Sequence, residues 1–120
     1  MFTSPNYLIV PSVYTSAAPE TAALVSGPAP TSAKLLGLIA TNDGYAQACW
    51  AQIFDGYGAP STGAVPIVTL AVAVAGQASL DPGSFNCLPV ANGIVVVLSS
   101  TAATYTPITN CLFATGFWIT

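Results

Sequence analysis

The sequence predicts an all-β protein: an antiparallel β-sandwich or jelly roll over residues 33–120, preceded by an extended, proline-rich N-terminal arm over residues 1–32. Three observations carry this. Short apolar runs recur at regular spacing between Gly, Pro, Asn and Asp clusters, the pattern of a many-stranded β fold. No convincing helical period appears, and the best helix start, at Pro19-Glu20-Thr21, opens only the short stretch 19–26. The stretch QACWAQIFDGYGAPSTGAVPIVTLAVAVA reads as two strands, 47–55 and 64–75, joined by a loop that Gly56, Gly58, Pro60 and Gly63 break. The second of these is rich in Val, Ile and Thr, with apolar residues on both parities. It is expected to be covered on both faces.

The arm holds Pro5, Pro11, Pro19, Pro28 and Pro30, half of the ten prolines. Proline removes a ladder donor, so its extended pieces, 7–10 and 22–25, belong at a sheet edge or along a neighbouring subunit. The first strong strand is AKLLGLIAT, 33–41. Asn42-Asp43-Gly44 then turns the chain, and the short turn predicts antiparallel pairing of 33–41 with 47–55. After 64–75, Asp81-Pro82-Gly83 makes a second turn. A short strand follows at 84–88 around Phe85, interrupted by Pro89. Asn92-Gly93 introduces 94–99, residues 100–103 turn, 104–106 is a brief strand, and 110–120 closes the domain. The expected core is Trp50, Ile53, Ile67, Val72, Ile94, Val96, Phe113 and Phe117.

Charge is the unusual feature. Only Glu20, Lys34, Asp43, Asp55 and Asp81 are charged among 120 residues, where an average domain of this size carries about 30. A surface so poor in charge has little electrostatic protection against association, which suits a permanently assembled subunit. A single cation cannot clamp a phosphate backbone or an anionic membrane, so neither nucleic acid nor membrane is expected as a partner. The longest apolar run, from Ile67, is too short to span a bilayer as a helix, despite a mean hydropathy of +0.70. The opening residues lack the basic and long apolar regions of a signal peptide.

Chemistry is scarce too. There is no His, which removes Ser-His-Asp and Cys-His machinery. Asp43, Asp55 and Asp81 sit before Gly or Pro-Gly, where a carboxylate caps its own turn. Lys34 reads as a solvated edge residue. Cys49, Cys87 and Cys111 have neither disulfide-framework nor zinc spacing, and read as small buried hydrophobes of a protein made in a reducing cytoplasm. Trp50, Trp118, Tyr45 and Tyr57 read as core or interface aromatics, with a sugar-binding face as the alternative. No catalytic residue, cofactor site or metal site is expected, and the protein is read as no enzyme.

A run of motifs resembles small structural proteins of tailed bacteriophage virions. These are the Ile53-Phe54-Asp55 turn, Pro60 and Gly63, Val65-Pro66, Asn92-Gly93-Ile94, Ser99-Ser100-Thr101 and the closing aromatic strand. The likeness covers 35–120. It implies a non-enzymatic virion component, foremost a capsid decoration (cement) protein that binds the phage head as an oligomer, expected to be a trimer. Alternatives are a tail or fibre component, or a carbohydrate-binding adhesin module. The implied partners are other copies of the chain and the major capsid or tail proteins. The implied location is the virion, after synthesis in the host cytoplasm.

Overall fold

The computed structural model describes residues 22–27, 29–80 and 88–108, together with the backbone of Ile9–Tyr14 and Leu112–Ile119. It is all-β, with no helix among the described residues. The strands are β1 (Ile9–Tyr14), β2 (Ala22–Leu24), β3 (Ala33–Asn42), β4 (Cys49–Asp55), β5 (Val68–Val72), β6 (Gln77–Leu80), β7 (Leu88–Val90), β8 (Ile94–Ser99) and β9 (Leu112–Ile119). They form two antiparallel sheets. One runs β1-β9-β3-β6, with β7 also beside β3, and the other runs β2-β8-β4-β5.

One apolar core joins the sheets. Leu35, Leu38 and Ala40 of β3, Ala78 of β6 and Val90 of β7 meet Cys49, Ala51 and Ile53 of β4, Val72 of β5, and Ile94, Val96 and Leu98 of β8. Along β4 the core takes every second residue, as a strand with two unlike faces requires. Ile53, Val72, Ile94 and Val96 are buried as expected. Trp50 is only half-buried, and Ile67 is 48 % exposed. The side chains of Phe113 and Phe117 lie outside the described residues.

The strand covered on both faces is β8, not 64–75. All six β8 residues are buried. Ile94, Val96 and Leu98 face the shared core, while Val95 and Val97 enter a second cluster with Ala22, Phe54 and Tyr105. The stretch 64–75 yields only the five-residue β5, which among the described residues pairs with β4 alone and lies at the sheet's edge. Its composition suited burial, but its position gives it cover on one face.

The turn at Asn42 also differs from expectation. Strands β3 and β4 do not pair; they lie in opposite sheets. The Asn42 side chain explains this. It accepts from Tyr45 N (2.9 Å) and donates to Tyr45 O and Gln47 O (both 3.1 Å). An Asn side chain bonded locally in this way substitutes for ladder pairing and turns the chain across the roughly 10 Å between stacked sheets. Pro89, expected to interrupt, lies inside β7 opposite Lys34. This suits the rule that proline is tolerated in a short edge strand. Residues 104–106 form no strand; one isolated bridge joins Ser99 to Pro107. Most of the expected strand at 84–88, and the helix start at Pro19, lie outside the described residues.

Within the segment expected as an arm, β1 pairs with β9 and β2 pairs with β8. Those stretches are edge strands of the two sheets. Removing residues 1–32 as a unit would strip one edge from each.

Candidate interaction surface

The residues with polar chemistry work inside the fold. Gln52 interrupts the apolar run of β4 and points away from the shared core, yet it is 0 % exposed. Its Nε2 donates to the carbonyls of Thr101 (2.9 Å), Ala102 (3.1 Å) and Thr104 (3.1 Å). Ser99 Oγ holds the same segment. It accepts from Thr101 N and Thr106 N and lies 2.8 Å from Thr101 O. Residues 100–106 therefore form a strap across the outer face of β8 and β4, and Ile108 beyond it packs in the shared core. Tyr105 on the strap stacks edge-on against Phe54, with centroids 6.0 Å apart. It also exchanges backbone hydrogen bonds of 2.8 Å with Gly63 and Ala64, which ties the β4–β5 loop to the strap. Burial raises the Tyr105 phenol above its ordinary pKa.

A second clamp lies at the other end of β8. Asp55 does not cap its own turn; its carboxylate accepts from Ala91 N (3.0 Å) and Asn92 N (2.8 Å). Gly56 N donates to Gly93 O (3.0 Å), Val25 N to Ile94 O (2.9 Å), and Ile94 N to Ser26 Oγ (2.7 Å). Four motif positions named from the sequence, Asp55, Asn92, Gly93 and Ile94, thus meet in one backbone junction. Their shared job is to fix the entry of β8.

The backbone N–H of Ala91, above all, and those of Asn92 and Gly93 hold the Asp55 carboxyl below the ordinary value of 3.8, against a smaller opposing effect of desolvation. A depressed folded pKa stabilises above the unfolded value and is lost as pH falls through the folded one. Wild type is therefore expected to lose stability relative to Asp55→Asn below about pH 4. Chemical denaturation of both proteins between pH 2 and 7 measures this. A constant gap across that range would contradict the clamp.

The other residues singled out from the sequence are dispersed. Asp43 is exposed in the turn that Asn42 organises. Lys34 is exposed, but β3 is flanked by β7 and β9 there, so Lys34 guards no edge. Tyr45 packs against the shared core. Trp50 lies on the opposite face of β4, and Tyr57 lies past its far end, in the β4–β5 loop. The described aromatics thus form no single row. Cys49 is buried in the core, whereas Cys87, Cys111, Glu20 and Asp81 lie outside the described residues. Among the described residues no three His, Cys, Asp or Glu side chains gather.

What the surface offers is apolar. Val65 is 73 % exposed, Val74 is 54 % exposed, and Ile67 and Tyr57 are nearly half exposed. Val65, Ile67 and Val74 bracket β5, whose Val68 and Leu70 pack on the core while Thr69 and Ala71 face out. No charged residue occurs between Gly56 and Leu80. Searches of known protein families, of characterised proteins and of solved structures found no match to this chain.

Proposed function

We propose that this protein is a non-enzymatic structural subunit that works by permanent association, within a bacteriophage virion and foremost as a decoration protein on the capsid. The observation that carries the associative part is the uncharged, apolar margin around β5, exposed on a molecule with only five charges. Permanent interfaces are more apolar than transient ones and spare a subunit the charge it would need to stay dispersed alone. The virion part rests on the motif resemblance. A jelly-roll version of the fold, and a trimer as the unit of assembly, belong to the same proposal. A tail or fibre position is the second reading. An adhesin with an aromatic sugar platform draws no support from Tyr45, Trp50 and Tyr57, which lie apart; the Trp118 side chain is outside the described residues.

Two measurements test this. Particles of the phage whose genome encodes the chain should carry it in stoichiometric copies, visible by mass spectrometry and placed on the head by electron microscopy. Purified particles without the chain would contradict the virion reading. Separately, 1 M salt should hardly weaken the oligomer, because few charges are at stake. Dissociation on raising salt would show an electrostatic contact instead.

A further inference from the structure

Four of the sheet margins are blunted. β1 carries Pro11, β7 carries Pro89, β2 is three residues long, and β6 is four. Proline and short length are the usual devices that stop an edge from pairing with another chain. β5 has none of them. It holds five residues, VTLAV, with neither proline nor charge, and among the described residues no strand lies on its outer side. An unblunted edge offers unpaired backbone donors and acceptors, and what satisfies a row of them is an extended strand.

Resting on the reading of this chain as an assembly subunit, we infer that β5 pairs antiparallel with β5 of a second copy. The contact is a two-fold that joins two four-stranded sheets into one of eight. Charge selects the occupant. A partner strand carrying charge would find nothing to pair with anywhere between Gly56 and Leu80, whereas a second copy brings none. Centred on Leu70, the pair sets Val68 opposite the partner's Val72 and Thr69 opposite the partner's Ala71. Past Val72 the chain enters the turn closed by Gly76 N donating to Ala73 O (3.0 Å), and the ladder ends there. An isologous contact of this kind closes on itself and does not propagate into a fibre.

The test is a charge swap read by sedimentation velocity. Thr69→Lys with Ala71→Lys, both exposed in β5, sets like charges opposite each other on both sides of the two-fold. It is expected to weaken association about tenfold or more. Thr69→Lys with Ala71→Glu sets opposite charges there and should restore association to within about threefold of wild type. Ile39→Lys, an exposed position on the other sheet, serves as the control and should change nothing. Should the double lysine variant fail to fold, Ala71→Lys alone, at an exposed position of β5, carries the same expectation in weaker form. Unchanged association of the lysine variants, or equal dissociation of the Lys/Lys and Lys/Glu proteins, would overturn the β5 pairing while leaving the assembly reading in place. A monomeric wild type would instead overturn the assembly reading itself.

Discussion

Replacing Gly93 with alanine is expected to cost about 3 kcal/mol or more of folding stability. An added Cβ would sit 2.4 Å from the Gly56 carbonyl oxygen and 2.9 Å from Ser26 Oγ. The first is backbone and cannot rotate away. Gly93 also has φ of +145°, a conformation that side chains rarely adopt. Relief requires the 91–94 turn to withdraw from Gly56 and Ser26, and so threatens the bonds from Gly56 N and Ile94 N and the two that Asp55 accepts. At about 4 °C per kcal/mol for a chain of this size, the melting temperature should fall by more than ~10 °C. Gly27→Ala is the comparator. Its φ is +100°, but nothing lies within 4 Å of the added Cβ. Backbone strain alone should then cost about 1–2 kcal/mol. Equal losses at the two positions would show that the contact with Gly56 is not what makes Gly93 necessary.

The second large effect is expected at Gln52. Changing it to Glu replaces the donor that serves three carbonyls with an oxygen that repels them. The site is fully buried, and no protein group among the described residues donates to the existing Oε1. A carboxylate there would be buried without a partner, so the site favours the neutral acid and raises its pKa. The sign follows from linkage: stability is retained below the unfolded Glu value of about 4.3 and is lost as pH rises above it. At pH 7 the cost should be about 3 kcal/mol or more, and near pH 4 it should shrink toward that of Gln52→Leu. The leucine variant loses the donated bonds but also removes an unpartnered acceptor, so about 2 kcal/mol is expected for it at any pH. Urea titrations of both variants at pH 4 and pH 7 separate the two. A Glu variant with no pH dependence beyond wild type would mean that the strap does not seal Gln52 from water.

The all-β class was legible because strand spacing and turn chemistry both carry it. β8 could be read from Ile94–Ser99, and the long β4–β5 loop from its glycines and prolines. Pairing partners were less legible. Residues 64–75 make a longer apolar run than β8, with apolar residues on both parities, so pattern assigned them the two-sided cover. What buries the outer face of β8 is a polar device, Gln52 and Ser99 gripping the 100–106 strap. A Gln within CWAQIFD was the available signal, since a polar residue in an apolar strand has to find partners. Asn42-Asp43-Gly44 was visible as a turn. Whether it closes a hairpin or crosses between sheets depends on which groups the Asn42 side chain bonds, and the sequence does not encode that locally. The apolar margin of the candidate surface was visible as composition, but its exposure follows from β5 lying at the end of its sheet.

The most direct measurement of the central claim, that this is a subunit built for permanent association, is sedimentation velocity of the purified wild-type chain at micromolar concentration. The expected result is a discrete oligomer. A stable monomer, soluble and folded at that concentration, would contradict it.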